Sequence, residues 1–235
     1  MPSAAIRRSL VSDQVFRLVC DQILSGTYAP GEKLPTQRAL AAEYGVNMAS
    51  IREAVKRLEQ LRLVEVRHGD AMRVRDWRAE GGLDVVAHVL FRAGGLDRGT
   101  LESLLEARRL MLAEAARLAA ERRTEDEAGR IAELAERIAE AGDDAGAAQR
   151  LDWELMALVV GASGNVVFAL ILNSIRQLYL EHAGLFQAVV SDSGELVPLY
   201  RRAAKAIGAG AGGRAATAVA ELAAAQERRL LEALG

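Results

Sequence analysis

The stretch LPTQRALAAEYGVNMASIREAVKRL, residues 34–58, decides the fold of the N-terminal part of the chain. Its second half repeats apolar residues at the spacing of a helix with one buried face; these are Ile51, Ala54, Val55 and Leu58. A shorter helix precedes it, and the two are separated by Gly45, which tolerates backbone angles that other residues resist, and by Asn47, a good N-cap. The spacing predicts a helix-turn-helix, with an ordinary helical hairpin as the alternative.

Two short segments that alternate apolar and charged residues follow, at residues 63–67 and 72–75. This alternation is typical of half-buried β-strands. Between them, His68-Gly69-Asp70 has the composition of a turn. A helix-turn-helix followed by a basic hairpin predicts a winged helix, with the tip of the wing against DNA phosphates or in the minor groove.

Residues 25–74 resemble the N-terminal domain of GntR-family bacterial transcription regulators, and the likeness covers roughly residues 10–75. Many spaced positions agree together: Gly26, Pro30-Gly31, Leu34-Pro35, Arg38, Leu40-Ala41, Gly45-Val46, the IREA of residues 51–54, Leu58 and His68-Gly69. The resemblance implies a DNA-binding function for this domain.

In such a domain the start of the second helix reaches base edges and phosphates. Met48 departs from the arginine that relatives often carry there, so the operator sequence is left open, and a solvated surface charge is the alternative for each arginine. The predicted DNA-contacting residues are Arg38, Asn47, Ala49, Ser50 and Arg52 and, in the wing, His68 and Gly69.

Charge is distributed unevenly along the chain. Residues 1–75 carry a net charge of +4 and the remainder −6, within a whole-chain value of −2. A basic N-terminal segment followed by an acidic remainder is typical of a nucleic-acid-binding domain joined to a second domain. The single cysteine, Cys20, excludes an internal disulfide. No long apolar stretch or signal-peptide pattern stands in the sequence, which predicts a soluble cytoplasmic protein without a membrane partner.

The 235 residues are predicted to form a winged helix-turn-helix domain at 1–75, a linker at 76–82 and an all-α helical-bundle sensing domain at 83–235. The fold class is therefore mainly α, with a small β-hairpin wing. Abundant Ala, Leu, Glu and Arg favour helix in the second domain. Its predicted helices cover residues 83–93, 98–122, 125–141, 147–161, 165–188, 194–208 and 213–234.

This second domain resembles the ligand-sensing domain of the FadR subfamily of GntR regulators, through Leu151-Asp152, ASGN at 162–165, LILN at 170–173 and Leu178-Tyr179. The resemblance implies a homodimer on a palindromic double-stranded DNA operator. It also implies a small-molecule effector, either a long-chain acyl-coenzyme A or a small organic acid. A structural pairing of Arg108 with Glu106 or Asp152 is the alternative to an effector contact. The predicted effector-binding residues are Arg108, Asp152, Asn173, Tyr179 and Tyr200.

Many sensing domains of this subfamily hold a divalent metal through one aspartate and three histidines. Here Asp152 is present, but Met156 stands one helical turn later, and Tyr200 stands at a second histidine position. A thioether is a poor ligand for a hard metal or zinc. We therefore predict no metal and no other cofactor.

Enzymatic motifs are missing from the sequence: no GxSxG, Walker loop, HExxH or GxGxxG pattern is present. The prediction is a non-enzymatic, ligand-responsive regulator whose sign of regulation is open. Its rival is a helical metabolite-binding protein whose wing serves protein contacts.

Overall fold

The computed structural model describes residues 3–67, 71–93, 95–142, 144–190 and 193–234. The chain forms two compact units, residues 1–100 and 101–235. The strands in the described ranges are β1 (Lys33–Leu34), β2 (Val64–Arg67), β3 (Ala71–Val74), β4 (Phe91–Arg92) and β5 (Gly95–Leu96). The helices are α1 (Ser3–Leu24), α2 (Gln37–Tyr44), α3 (Met48–Gln60), α4 (Trp77–Glu80), α5 (Val86–Leu90), α6 (Arg98–Arg122), α7 (Glu125–Ala141), α8 (Ala145–Ala162), α9 (Val166–Glu181), α10 (Ala183–Phe186), α11 (Ser193–Gly208) and α12 (Gly212–Ala233).

Helices α2 and α3 form the predicted helix-turn-helix, and local chemistry fixes both of its inner ends. The Thr36 hydroxyl caps α2 by accepting the Ala39 N–H at 3.2 Å. Gly45 ends α2 with φ +63°, in the left-handed region that glycine enters at little cost. The Asn47 side chain then accepts the Ser50 N–H at 3.0 Å and starts α3. The fold class predicted from the sequence is thus confirmed for this unit.

The predicted wing is an antiparallel pair in which Val64 lies opposite Val74 and Val66 lies opposite Met72. Strand β1, which the sequence did not predict, pairs with the other side of β3, so the order is β1-β3-β2. The proposed wing tip, His68 and Gly69, lies outside the described residues.

The core of the first unit is built on α1, α3 and the sheet, around Phe16, Leu40, Ile51, Leu58 and Leu63. The guanidinium of Arg57 lies 4.1 Å from the centre of the Phe16 ring and pairs with Asp13. Arg57 therefore supports the packing of α3 on α1. His88 also packs edge-to-face on Phe16, and its burial lowers the pKa of the imidazole.

Residues 83–100 differ from the sequence prediction of a single helix at 83–93. They form a 3₁₀ turn, α5 and the hairpin β4–β5, in which Gly95 has a φ of +107° that side chains resist. Val85 and Val89 are buried in the core of the first unit. The unit therefore extends to residue 100, whereas we predicted that the second domain begins at residue 83 after a linker at 76–82, a stretch that holds α4.

The second unit is helical, as predicted, and α6 and α7 have the predicted bounds. A capping box between Thr124 and Glu127 begins α7. The helix predicted at 165–188 is instead broken at His182, where the backbone leaves helical geometry with φ −113° and ψ +34°. Gly184, a residue of low helix propensity, stands beside the break.

Tight packing of small and aliphatic side chains forms the core of this unit. The fully buried members include Leu112, Ile131, Leu196, Tyr200, Ala215 and Leu222. Within the ranges that the structure describes, none of the helices has the length and apolarity that a membrane span requires.

Candidate DNA-reading face and effector cavity

Helix α3 buries one stripe of residues and leaves the opposite stripe in solvent. Ile51, Ala54 and Leu58 are buried, whereas Ala49 and Arg52 are exposed. Arg38, close to the start of α2, is also exposed. These three side chains are exposed to solvent, which is the condition that a DNA contact requires.

Ser50, by contrast, is only 2% exposed and belongs to the buried stripe of α3. It adjoins Ile51 on the face that packs on the core, so its hydroxyl cannot reach a base edge in this fold. We therefore remove Ser50 from the proposed contact set. Asn47 is exposed, but its side-chain oxygen is used by the helix cap, which makes its first role structural.

The second unit contains a cavity between α6, α8, α9 and the C-terminal part of α12. The space open to a water-sized molecule is about 50 Å³, which is room for only a few waters. Apolar side chains form most of the wall, and the few polar groups lie together. The lining residues are Leu104, Leu105, Arg108, Leu112, Asp152, Trp153, Met156, Leu172, Ile175, Leu178, Tyr179, Phe186, Val189 and Gln226.

A hydrogen-bond network closes one side of the cavity. The Tyr200 hydroxyl donates to Asp152 Oδ1 at 2.6 Å, and Gln226 Nε2 donates to the same oxygen at 2.9 Å and to the Tyr200 oxygen at 2.8 Å. Arg108 Nη2 donates to Gln226 Oε1 at 2.8 Å and lies 3.8 Å from Asp152 Oδ2. Burial, reinforced by the Asp152 charge, raises the pKa of Tyr200 well above its usual value.

Four of the five residues predicted for the effector site lie at this cavity, and three of them belong to the network. Arg108, Asp152 and Tyr179 line the cavity, and Tyr200 is bonded to Asp152 directly behind the wall. The arrangement also matches the structural pairing of Arg108 with Asp152 that the sequence left open.

Asn173 is a correction to the predicted site. It is exposed, because the inward face of α9 is set by Leu172, Ile175 and Tyr179. Gln226 was missed, although it bonds to Arg108, Asp152 and Tyr200. The pattern that could have identified it is a polar residue on the buried stripe of α12, one turn after Leu222 and one before Leu230.

Tyr179 forms part of an aromatic cluster at the edge of the cavity. Its ring stacks on Trp153 with centroids 5.1 Å apart and lies 5.2 Å from Phe186. Its hydroxyl is buried and has no hydrogen-bond partner among the described residues. Burial raises the pKa of Tyr179 above its usual value, so this group remains a neutral donor at physiological pH.

The site does not suit the divalent metal that the fold family implies. Asp152 Oδ1 already accepts two hydrogen bonds, Met156 presents a buried thioether, and Tyr200 is a donor to the carboxylate. A metal would need deprotonated, oxygen- or nitrogen-rich ligands. In the described part of the chain, no group of three His, Cys, Asp or Glu side chains is placed to hold a metal ion.

We expect metal ions and chelators to leave the thermal stability of the protein unchanged. A metal bound to the folded state would stabilise it by mass action. Calorimetry with stoichiometric zinc or nickel, and with excess EDTA, tests this expectation. A rise of several degrees in Tm with one equivalent of metal would contradict the interpretation of Met156 and Tyr200.

Comparison with known proteins adds the family. A family model described as "Bacterial regulatory proteins, gntR family" matches residues 11–74, and one described as "FCD domain" matches residues 103–225. The HTH-type transcriptional regulator Mce2R of Mycobacterium tuberculosis is 36% identical over 87% of this chain and 85% of its own length. A fatty acid metabolism regulator protein of Erwinia tasmaniensis is 27% identical over 68% of this chain and 66% of its own length.

Among solved structures, Streptococcus agalactiae GntR is similar with a TM-score of 0.50 and 25% identity, covering 92% of this chain and 99% of that one. The matched relatives are transcriptional regulators, and both family models fall on the units that carry the helix-turn-helix and the cavity. The chain therefore belongs to the GntR family of bacterial regulatory proteins, with a C-terminal FCD domain.

Proposed function

We propose that the protein is a homodimeric, ligand-responsive transcription regulator of the bacterial cytoplasm that binds a palindromic double-stranded operator. Two protomers would place two α3 helices in successive major grooves, since half-sites of helix-turn-helix dimers lie about one helical turn apart. The exposed Arg38, Ala49 and Arg52 support this role. The wing residues His68 and Gly69 remain proposed contacts.

The observation that carries the ligand response is the cavity of the second unit. An apolar space with a few convergent polar groups is the usual form of a small-molecule site. A ligand that binds better to one arrangement of the dimer would shift the population of DNA-competent molecules. Arg108, Asp152, Tyr179 and Tyr200 are the proposed effector-site residues, together with Gln226.

A long-chain acyl-coenzyme A is our first candidate for the effector. The wall of the cavity is mainly aliphatic and aromatic, and each buried methylene contributes about 0.8 kcal/mol. The guanidinium of Arg108 is already held by Gln226 and faces Asp152, so it is a weak anchor for a second carboxylate. A small organic acid bound by Arg108 and Tyr200 is the alternative.

The dimensions of the cavity set a condition on this proposal. With about 50 Å³ open to water-sized molecules, a long chain enters only if part of the wall moves outward. The segment after α9 is the part of the wall that we expect to move. It contains only the four-residue helix α10, next to the break at His182, so its movement disrupts little regular structure.

Titration with acyl-coenzyme A molecules of increasing chain length tests the effector class. We expect the affinity of the protein for the acyl-coenzyme A to rise with each added pair of methylenes. Release of operator DNA, measured by gel shift, should rise in parallel. Coenzyme A without an acyl chain is the control for the head group. If affinity and operator release are indifferent to chain length and a small acid releases the operator, the acyl proposal fails and the small-acid alternative replaces it.

A further inference from the structure

A second depression of about 430 Å³ adjoins the cavity on the outer side of α8 and α9. We call it the vestibule and define it by Arg150 and Trp153 of α8, Arg176 and Tyr179 of α9, and the amide side chains of Gln149 and Gln187. It is open to solvent, whereas the cavity lies deeper in the same unit.

The charge of the vestibule is positive. Within the described ranges, Arg150 and Arg176 form no hydrogen bond or ion pair, and no carboxylate lines this depression. Other arginines of the unit are paired, for example Arg117 with Glu114 and Arg201 with Glu136. Asp144, on the N-terminal side of α8, accepts the Ala147 N–H as a helix cap.

Trp153 and Tyr179 line both the vestibule and the cavity, so this stacked pair is the partition between the two spaces. The buried Tyr179 hydroxyl has no hydrogen-bond partner among the described residues. The neighbouring Gln149 amide donates to the Ala183 carbonyl at 3.1 Å. A buried polar group without a partner is costly, and a ligand that crosses the partition could satisfy it.

We propose that the effector occupies both spaces, with an apolar chain in the cavity and an anionic head group, phosphate or carboxylate, held in the vestibule by Arg150 and Arg176. The Tyr179 hydroxyl donates a hydrogen bond to the polar group that joins the chain to the head group. Guanidinium groups suit this task, because they donate paired hydrogen bonds to phosphate and carboxylate oxygens. The proposal rests on the proposed function and adds the position and charge of the head group.

Trp153 provides the readout for a binding test. The chain has two tryptophans, so Trp77→Phe leaves Trp153 as the sole tryptophan, in the partition itself, and excitation at the red edge of the tryptophan band reports on it. In this background we compare the double variant Arg150→Gln/Arg176→Gln with a control of equal charge change, Arg130→Gln/Arg137→Gln on the exposed face of α7. The probes are palmitoyl-coenzyme A, palmitate and hexadecanol.

The vestibule variant should bind both anionic probes about tenfold more weakly than the control variant, as expected for loss of charge-assisted hydrogen bonds that are partly screened by solvent. Hexadecanol should bind the two variants equally. A larger loss for palmitoyl-coenzyme A than for palmitate identifies phosphate as the head group. A larger loss for palmitate identifies a carboxylate, because the thioester of palmitoyl-coenzyme A carries no charge.

Equal affinity of both variants for the anionic probes would contradict the proposal that the vestibule holds the head group. Failure of all three probes to bind the parent protein would contradict it as well. Operator binding without ligand, measured on the same variants, separates this result from the proposed function. If the probes bind as expected but never change operator affinity, the head-group site in the vestibule is supported and the ligand-responsive function is contradicted.

Discussion

Replacing Arg52 with alanine is expected to weaken operator binding by between about 30-fold and about 20,000-fold. The loss of one good base or phosphate contact costs about 1–3 kcal/mol, it occurs in both half-sites of a dimer, and each 1.4 kcal/mol is about tenfold. Arg52 is exposed on α3, whose buried stripe holds Ile51, Ala54 and Leu58. Fluorescence anisotropy with labelled operator, at fixed salt, measures the effect.

The matched control is Arg130→Ala, which removes an exposed arginine from the second unit. Both variants should melt like the parent protein, because exposed substitutions of this kind usually change stability by less than about 0.5 kcal/mol. Operator affinity that is the same in the Arg52 variant and the control would exclude Arg52 from the interface.

Replacing Asp152 with alanine is expected to lower the free energy of unfolding of the second unit more than alanine at any other polar residue of that unit. Asp152 is 2% exposed and accepts hydrogen bonds from Tyr200 and Gln226. Without it, the Arg108 side chain, which is only 20% exposed, loses its counter-charge. Removal of one partner from a buried charge pair costs about 3–5 kcal/mol, and the partial exposure of Arg108 places the value near the lower end.

Chemical denaturation followed by the fluorescence of Trp153, in the Trp77→Phe background, measures this loss for the second unit. Asp152→Asn should cost less, because it keeps an acceptor oxygen for Tyr200. Glu154→Ala, an exposed carboxylate two residues further along α8, is the control and should be near neutral. An Asp152→Ala variant as stable as the control would show that the network does not hold the wall of the cavity.

The helix-turn-helix was predictable because its determinants are local. Gly45 and Asn47 set the ends of two helices through their own backbone preference and side-chain oxygen, and the apolar stripe of α3 is visible within about two turns. The wing follows from alternation over four residues in each strand. The hairpin β4–β5 was missed because its strands have two residues each, which is too short to show a period.

The effector cavity could be predicted only in part, because its polar groups come from distant parts of the chain. Arg108 and Gln226 are 118 positions apart, and Tyr200 and Asp152 are 48 apart. No local pattern joins such residues. Resemblance supplied the tyrosines and the aspartate, but it misplaced Asn173, whose exposure depends on which face of α9 turns inward.

The absence of the family's histidines has a physical counterpart in this network. In a metal site the cation would bring the ligands from several helices together. Here the Asp152 carboxylate performs that task by accepting two hydrogen bonds, one from α11 and one from α12. These two hydrogen bonds tie α8 to α11 and to α12 at the wall of the cavity.

The central claim is that this chain recognises operator DNA as a dimer. A gel shift on DNA from the promoter of its own gene, with excess competitor DNA of unrelated sequence, tests it most directly. We expect a retarded complex that survives the competitor, contains two protomers per DNA and weakens steeply as salt is raised. No retardation even at low salt would contradict the account and favour the metabolite-binding alternative.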